Sequence, residues 1–494
     1  MKVLIVGAGP TGLVLALWLA RRGVKARIID KANGPGETSR AMAVQARTLE
    51  FYDQLGFADQ IVEKGIKMHH IHLYDHGKQY AEFNLSDYGE GVSPYPYALS
   101  FPQDDHERFL VDRLAEAGVT VEWETSLTNL DDQSNCVVAK IGTDCEEFDY
   151  VCGCDGAHSV VREQLNVGFP GGTYDVLFFV ADVVAQGRIS EDGFQANFSK
   201  NHFVLVFPIR SSGHFRLIGM VPPEHVNDAN LTFETIQAGI EESADIKISE
   251  VNWFSRYKVH HRVAEHFRIG RTFLLGDAGH IHSPVGGQGM NTGLGDAVNL
   301  AWKLAEVANG ADPKLLDSYE MERIAFARKL VETTDRVFGP LSNEGVEGFL
   351  ARNVIAEHLL PFFMGFSGVR HAMFRMLSQT RIDYRDSPLS DGKAGDVHGG
   401  DRLPWAGSNF QPLRSMEWQL HVYGSVEGKV EDVPMRVFPY DEAAEKAGLA
   451  KNGVYLVRPD GYVAIAGESL DVQKIKTLLK SARGERTETG VYAI

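Results

Sequence analysis

The first thirty residues alternate between short apolar runs and one amphipathic stretch. Residues 3–6 are all apolar, which is typical of a strand buried on both faces, and residues 25–29 start a second strand. Between them, apolar side chains follow the 3.6-residue period of a helix, at Leu13, Ala16, Leu17 and Ala20. Gly23 closes this helix. The chain is therefore predicted to begin as strand, helix, strand, the start of a parallel sheet.

A period-two pattern replaces this one near residue 68. Residues 68–74 and 78–85 alternate around Asp75-His76-Gly77, which predicts a hairpin, and residues 170–262 are again rich in strand signals. An antiparallel sheet is thus predicted, inserted into an α/β unit. The remaining predicted elements are helices at 39–54, 103–117 and 292–307, and strands at 119–123, 145–154, 204–209, 215–221 and 273–275.

These patterns divide the chain into three predicted domains. The first is discontinuous and takes residues 1–67, 101–169 and 263–385, while the inserted sheet takes 68–100 and 170–262. Residues 386–404 are rich in Gly, Asp and Pro and are interpreted as a linker. Residues 400–494 carry their own strand signals, at 418–423 and 453–459, and predict a small α/β domain.

Composition narrows the class of protein. A net charge of −17 over 494 residues argues against nucleic acid or an anionic membrane as a partner. No stretch approaches the roughly 20 apolar residues that span a bilayer, and the first apolar run is a strand rather than a signal peptide. The cytoplasm is therefore the expected location, and it suits the four cysteines as free thiols.

Two glycine-rich motifs predict a bound dinucleotide. Gly7-Ala8-Gly9-Pro10-Thr11-Gly12 lies at the turn between the first strand and the first helix. In such a turn Gly7 permits the tight bend, Gly9 lets the backbone approach phosphate oxygens, and Gly12 allows close helix–strand packing, so that the pyrophosphate sits on the helix N-terminus. Asp30 ends the second strand, where a carboxylate accepts hydrogen bonds from ribose hydroxyls, and Asp30 and Lys31 are both predicted to bind the cofactor.

The second motif, Gly276-Asp277, follows the apolar run 272–275. Asp277 is placed to accept hydrogen bonds from a ribityl chain; capping a helix is its alternative role. FAD is long enough to reach both motifs, so the pair predicts a flavoprotein. The loop from Pro284 to Asn291 follows, and its glycines let the backbone pass close to a flat isoalloxazine ring. Its N–H groups and the next helix dipole favour negative charge on a reduced flavin.

With Cys154-Asp155-Gly156-Ala157-His158-Ser159-x-Val161-Arg162, these motifs resemble those of single-component FAD-dependent aromatic hydroxylases, of the phenol hydroxylase and polyketide hydroxylase type. The tail is similar too, through Gly400-Asp401-Arg402-Leu403-Pro404 and Leu456-Val457-Arg458-Pro459-Asp460-Gly461. The resemblance implies an α/β fold with a Rossmann-type FAD-binding domain, an inserted antiparallel β-sheet substrate domain and a C-terminal thioredoxin-like α/β domain. That last domain has no Cys-x-x-Cys, so a packing or interface role is expected.

The resemblance also implies roles for individual residues. Arg40 contacts FAD unless it is a solvated charge, and Gln103 lies beside the flavin chain. Asp155 touches both FAD and the nicotinamide cofactor, with an Asx turn after the strand as the alternative. The ring-side segment comprises Pro284, Gly287, Gly289, Met290 and Asn291.

Other residues remain without an assigned role. Phenol hydroxylase carries an aspartate that activates the phenol at the position of Met42, so no catalytic residue is assigned. The histidines His69, His70, His72 and His76 lack further ligands at metal spacing, so no metal site is predicted. The aromatics Phe203, Phe207 and Phe215 are candidate pocket walls or core residues.

The expected reaction is hydroxylation of a phenolic or polycyclic aromatic ring. By resemblance, NAD(P)H reduces FAD, and O₂ adds to the flavin C(4a) carbon to give a hydroperoxide that delivers one oxygen atom. A reductase or dehydrogenase on the same fold, or a flavin-binding scaffold, are the alternatives. The sequence has one dinucleotide fingerprint, so NAD(P)H is expected to share the FAD surface and the flavin ring to move. The protein is expected to be a monomer or a homodimer.

Overall fold

The computed structural model describes residues 1–37, 41–75, 77–198, 203–282, 287–342 and 367–483. The helices are α1 Pro10–Arg21, α2 Ala46–Leu55, α3 Ala58–Lys64, α4 Ser86–Gly89, α5 Gln103–Glu116, α6 Val160–Gln164, α7 Phe233–Ala244, α8 Gly289–Ala308, α9 Asp317–Ser342, α10 Ser367–Leu377, α11 Glu442–Lys446 and α12 Val472–Arg483. The strands are β1 Val3–Val6, β2 Ala26–Ile29, β3 Ala43–Val44, β4 Ile66–Met68, β5 His70–Asp75, β6 Lys78–Asn84, β7 Ala98–Ser100, β8 Val121–Glu122, β9 Leu127–Asp132, β10 Val137–Ile141, β11 Asp144–Phe148, β12 Tyr150–Gly153, β13 Gly171–Gly187, β14 Gly193–Phe198, β15 Phe203–Pro208, β16 His214–Met220, β17 Ile246–Val263, β18 Arg268–Ile269, β19 Thr272–Leu274, β20 His280–Ile281, β21 Asp391–Ala394, β22 Val397–His398, β23 Gln419–Tyr423, β24 Met435–Phe438, β25 Gly453–Val457 and β26 Val463–Gly467.

A six-stranded sheet of order β18-β19-β12-β1-β2-β8 carries the predicted strand–helix–strand start. Its pairs are parallel apart from β18 with β19. Every residue of β1 and β12 is buried, as expected for central strands that are covered on both faces. Gly23 ends α1 with a φ of 76°, the left-handed conformation that glycine adopts without strain. The carboxyl ends of β1, β2 and β19 therefore meet at one edge of this sheet.

An eight-stranded sheet of order β20-β17-β13-β16-β15-β14-β5-β6 forms the second layer. Its pairs are antiparallel except for β14 and β5, which run parallel, so the predicted sheet is mixed at that point. The predicted hairpin is present as β5 and β6. One face packs against α7, through a cluster that includes Phe215, Phe233 and Ile240. The opposite face packs against the main core, through Phe203 and Leu205.

Three predicted elements are wrong in detail. The single strand at 145–154 is two strands: β11 pairs antiparallel with β10, whereas β12 joins the parallel sheet. The predicted helix at 39–54 starts outside the described residues, and within 41–54 helix begins at Ala46, since residues 43–44 form β3 and pair with β7. The predicted linker at 386–404 contains β21 and β22, because β21 pairs with β26 as part of a third large sheet.

The third sheet has the order β22-β21-β26-β25-β23-β24. Buried charges join it to helices α8 and α9. The Glu322 carboxylate accepts hydrogen bonds from Lys303 Nζ and from Arg458 Nη1, both at 2.8 Å, and Arg458 Nη2 donates to Asp460 at 2.6 Å. Burial alone raises the pKa of Glu322, but Arg458 and Lys303 outweigh it and hold that pKa below its usual range. Arg402 makes a comparable buried pair with Glu50 of α2.

The segments 400–404 and 456–461 thus contact helices α2 and α9 through charges that are buried at the contact. Breaking such a contact leaves a charge without its partner in a low-dielectric interior. Within the described ranges, no helix combines the length and apolar character that a membrane span needs.

Candidate active site

The glycines in the turn between β1 and α1 differ in whether the surrounding structure leaves room for a side chain. A Cβ on Gly7 would lie 2.6 Å from the carbonyl carbon of Cys154, and a Cβ on Gly12 would lie 3.1 Å from the carbonyl carbon of Gly7. Gly7 also has a φ of 104°, so packing and backbone conformation together require these two glycines. Gly9 has an ordinary φ of −70°, and a Cβ there would meet no atom of the described residues within 4 Å. The described part of the chain does not require a glycine at position 9, whereas a phosphate approaching the backbone would.

Asp30 ties the end of β2 to this turn. Its carboxylate accepts hydrogen bonds from the backbone N–H of Ala8 at 2.6 Å and of Ala32 at 2.8 Å. Each carboxylate oxygen has two lone pairs, so these bonds leave capacity for a ribose hydroxyl. Lys31 is exposed directly beside it. The predicted dinucleotide site is therefore built on the backbone of residues 7–12 with Asp30 at its rim.

A buried carboxylate that the sequence reading missed lies behind Asp30. Glu107 accepts hydrogen bonds from Gln103 Nε2 at 2.7 Å and from the backbone N–H of Gly36 at 2.8 Å. Burial raises the pKa of Glu107, and the nearby Asp30 carboxylate raises it further. The Gln-x-x-x-Glu spacing of α5 was the available signal, since residues four apart share a helix face. Gln103 is thus held by Glu107 near the predicted adenosine end.

The two glycine motifs meet at a tight junction with α8. A Cβ on Gly276 would lie 2.7 Å from Thr11 Oγ1, and a Cβ on Gly293 would lie 3.1 Å from the Cα of Gly276. Thr11 is the second residue of α1, and Gly293 lies in the first turns of α8. Asp277 is exposed in the short 3-10 turn next to this junction. The fold therefore brings together the motifs that the sequence separates by some 260 residues.

Asp296, on α8, fixes that turn and was not singled out from the sequence. Its carboxylate accepts hydrogen bonds from the Gly276 backbone N–H at 2.9 Å and from Arg323 Nε at 2.5 Å, and it pairs with His280 Nε2 at 2.7 Å. Burial raises the pKa of Asp296, but the charges of Arg323 and His280 bring it below the usual value. A charged Asp296 thereby holds the turn that presents Asp277.

The segment predicted to lie along the flavin ring begins α8. Met290 is half-buried against the main core, and Gly287 and Gly289 are partly exposed. The Asn291 side chain is buried and makes four hydrogen bonds within the protein. Its Oδ1 accepts from Gln45 N and Thr48 Oγ1, and its Nδ2 donates to the carbonyl oxygens of Ala43 and Gly287. The ring contact implied by resemblance would therefore fall to the backbone of Asn291. Arg40 and Pro284 lie outside the described residues.

Asp155 has a local structural task. Its carboxylate accepts hydrogen bonds from Ser159 Oγ at 2.5 Å and from the Val161 backbone N–H at 3.1 Å, while Ser159 caps α6. This is the turn-stabilising alternative weighed for Asp155. Burial raises the pKa of the carboxyl group. The residue also adjoins the first glycine turn, because a Cβ on Gly7 would lie 2.8 Å from Asp155 N.

The eight-stranded sheet presents a half-buried aromatic face toward the first domain. Phe194 and Phe207 stack with ring centroids 4.9 Å apart, and Phe203 lies on the same face. Phe215 points the other way, into the core under α7, so it is not a wall of this face. On the aromatic face, fully buried Arg216 forms a two-bond ion pair with Asp182 at 2.7 and 2.8 Å.

Arg216 also reaches the first domain. Its Nη1 donates a hydrogen bond to the Ala41 carbonyl oxygen at 3.2 Å, next to buried Met42. The carbonyl oxygen of Pro208, at the end of β15, accepts a bond from Ser100 Oγ at 2.6 Å. The aromatic face is therefore held over the segment that precedes α2.

The histidines of β5 lie on the opposite face from Phe194. The rings of His70 and His72 stack 5.8 Å apart, and both approach Glu82. Among the described residues, no group of three or more His, Cys, Asp or Glu side chains has metal-binding geometry. His76 lies outside the described residues.

Comparison with known proteins shows the family. Residues 1–334 match the family of FAD binding domains. The chain is 33% identical over 516 residues to 6-methylpretetramide 4-monooxygenase of Streptomyces rimosus, covering 94% of this chain and 91% of that protein. It is 31% identical over 415 residues to pentachlorophenol 4-monooxygenase of Sphingobium chlorophenolicum, covering 81% and 75% of the two chains.

A solved anhydrotetracycline hydroxylase from Streptomyces rimosus superimposes with a TM-score of 0.77 at 26% identity, covering 99% of this chain and all of that one. The mixed α/β fold is therefore that of the aromatic hydroxylases. Family model, sequence relatives and fold all indicate the same class of flavoprotein. The chain belongs to the FAD-dependent monooxygenases, flavoproteins that use NAD(P)H and O₂ to hydroxylate aromatic substrates.

Proposed function

We propose that this monooxygenase hydroxylates a phenolic substrate of several fused rings, bound between the aromatic face of the eight-stranded sheet and the start of α8. The aromatic face is the observation that supports this proposal. Phe194 and Phe207 stack with ring centroids 4.9 Å apart, and Phe198 and Phe203 form a second ring pair at 5.1 Å. The two ring pairs lie on one face with Ala196 and Leu205 between them, and this extended apolar surface suits a flat polycyclic ligand better than a single ring. A relative that acts on 6-methylpretetramide supports the same class.

FAD would lie across the glycine junction. We propose that the backbone of Gly7, Gly9, Pro10, Thr11 and Gly12 holds its pyrophosphate, with Asp30 and Lys31 at the adenosine end and Asp277 on the ribityl chain. Gln103, Asp155 and Arg40 complete the proposed contacts along the chain, and Pro284, Gly287, Gly289, Met290 and Asn291 those along the ring. The open space at Gly9 is the structural feature that fits this group. When bound, FAD accepts hydride from NAD(P)H and activates O₂ for insertion into the ring.

The protein's own contribution is orientation and exclusion of water. The buried Arg216 guanidinium is paired with the Asp182 carboxylate, so a substrate on this face would meet a neutral ion pair and not an isolated positive charge. Met42 occupies the position of the phenol hydroxylase aspartate and is buried. The chain thus places a thioether where that enzyme has a carboxylate, and we assign no catalytic base.

The three large sheets support the proposed domain arrangement. We propose a Rossmann-type FAD-binding domain at 1–67, 101–169 and 263–385, an inserted substrate domain at 68–100 and 170–262, and a C-terminal thioredoxin-like α/β domain. The sequence pattern places the start of that last domain at residue 400; because β21 pairs with β26, we propose that it starts at residue 391 instead. Its buried ion pairs support a packing role.

Asp155 adjoins the first glycine turn. We propose that the nicotinamide would approach over Asp155 and Gly156, and that the ring of a bound flavin would move between that exposed position and the aromatic face. The enzyme is expected in the cytoplasm, which supplies NAD(P)H, as a monomer or homodimer.

The test is a screen of phenols and polycyclic quinones for stimulated NADPH oxidation, with O₂ uptake and product mass. A hydroxylase consumes O₂ and adds one oxygen atom to a compound that accelerates oxidation. A reductase oxidises NADPH without inserting oxygen, and a scaffold does neither. Anaerobic stopped-flow reduction then tests ring movement: substrate is expected to speed reduction by NADPH, and equal rates with and without it would refute gated movement.

A further inference from the structure

Gln379 occupies a backbone position that usually belongs to glycine. Helix α10 ends at Leu377, and two residues later Gln379 has a φ of 61°, in the left-handed region. Helices commonly end with glycine or asparagine in this conformation, because a longer side chain strains the backbone there. The strain indicates that the glutamine side chain has a task of its own.

That side chain reaches the first turn of α8. It is 3% exposed, and its Nε2 donates hydrogen bonds to Thr292 Oγ1 at 2.8 Å and to the Gln288 carbonyl oxygen at 3.3 Å. Gln288 is the residue immediately before α8, and its carbonyl oxygen also accepts from Thr292 N and Thr292 Oγ1. Gln379 therefore adds hydrogen bonds to the first turn of α8, although it lies 87 residues from Thr292 in the chain.

The same short segment also contacts the start of α2. The Ser378 carbonyl oxygen accepts a hydrogen bond from the Arg47 backbone N–H at 3.2 Å, and this N–H has no partner within its own helix turn. Asn291 links the two helix starts directly, through Gln45 and Thr48. Residues 378–379 thus complete a buried polar seam between α2 and α8.

We propose that Gln379 is a positioning residue, which holds the first turn of α8 and hence residues 287–290 in place. This proposal rests on the proposed function in one respect, since that function places the flavin ring against residues 287–290. A glycine at position 379 would relieve the backbone strain, but the first turn of α8 would lose the hydrogen bonds that Gln379 Nε2 donates to it. The geometry alone predicts the effect on α8; the proposed function predicts the effect on flavin.

The test compares Gln379→Leu and Gln379→Gly with Gln419→Leu in the full-length holoenzyme. Gln419 is a matched control because it is equally buried and its Nε2 likewise donates to one carbonyl and one hydroxyl oxygen, those of Pro412 and Ser415, within the C-terminal part. Removing two neutral hydrogen bonds is expected to speed hydrogen–deuterium exchange of residues 288–296 by roughly 5- to 150-fold in both Gln379 variants. The Gln419 variant is expected to leave that peptide at the wild-type rate.

The second readout is the bound flavin. Both Gln379 variants are expected to shift its visible absorption bands and to raise the share of NADPH oxidation that ends as free H₂O₂, whereas Gln419→Leu changes neither. Gln379→Gly relieves the backbone strain, so a folding defect in Gln379→Leu alone leaves the test intact.

Unchanged exchange of residues 288–296 in both variants would overturn the positioning role. Faster exchange with an unaltered flavin spectrum would instead uphold the role in α8 and refute the placement of the ring there. The two failures are therefore distinguishable.

Discussion

Replacing Gly9 by serine should stabilise the FAD-free protein and lower its affinity for FAD. Gly9 is the residue before α1, with φ −70° and ψ 179°, a conformation that serine adopts without strain. Across the ranges that the structure describes, no atom lies within 4 Å of a Cβ built there. Serine is also a better helix N-cap than glycine, since its hydroxyl accepts an otherwise unpaired N–H. Only a ligand at this turn makes glycine preferable.

Gly9→Ser is expected to raise the stability of the FAD-free protein and to lower its affinity for FAD. The better cap contributes a few tenths of a kcal/mol, and the smaller freedom of the unfolded chain contributes about 0.4–1 kcal/mol. FAD-free Gly9→Ser protein should thus be about 1 kcal/mol more stable than wild type. If the side chain displaces one charge-assisted N–H contact to phosphate, it costs about 1.5–3 kcal/mol of binding, or roughly 10- to 150-fold in Kd.

Urea unfolding of the FAD-free chain and fluorescence titration with FAD measure the two effects. Gly12→Ser is the matched control, because a Cβ at Gly12 would lie 3.1 Å from the Gly7 carbonyl carbon and should destabilise both forms. If Gly9→Ser binds FAD with wild-type affinity, the phosphate does not sit at this turn. If it destabilises the empty chain, the space at Gly9 is not open.

Three further outcomes are expected. Asp277→Ala should weaken FAD binding by about 1.5–3 kcal/mol, measured by the same titration, since a charged acceptor is lost; unchanged affinity would remove Asp277 from the site. Arg458→Met should cost about 3–5 kcal/mol in urea unfolding, because it leaves the buried Glu322 carboxylate short of a partner, whereas Arg414→Met, at a half-exposed pair, should cost under about 1 kcal/mol. Burial lowers the pKa of His106 to about 3. The unfolded chain therefore binds the extra proton first, and stability should be full above about pH 6.5 and fall as the pH drops toward 3, with a flatter profile in His106→Gln.

Much of the first domain was readable from local pattern. The continuous apolar run of β1 and the apolar stripe of α1 arise because each segment is buried in its own way. Periodicity detects this burial from the segment alone. The positive φ of Gly7 and the contact of Gly12 with the Gly7 carbonyl group are local features of this turn, so a sequence motif can report them. The hairpin β5–β6 followed likewise from alternation around a glycine turn.

Errors arose where a partner strand decides the outcome. Residues 145–154 show one uninterrupted strand pattern, yet β11 and β12 belong to different sheets because their neighbours differ. Residues 43–44 extend because β7 lies alongside. The glycine- and aspartate-rich stretch near 391 becomes a strand only because β26 offers its edge.

By itself, the sequence determined which residues can turn tightly, which segments are buried, and that two glycine motifs lie at strand ends. Only the tertiary structure decided which side chains hold those motifs together. Asn291, Asp296 and Gln379 make hydrogen bonds to residues in other elements of the fold, and Glu322 of α9 keeps its charge because Arg458 reaches it from the end of β25. A buried polar group needs a partner, but the sequence does not say which one, since that choice depends on how distant segments pack.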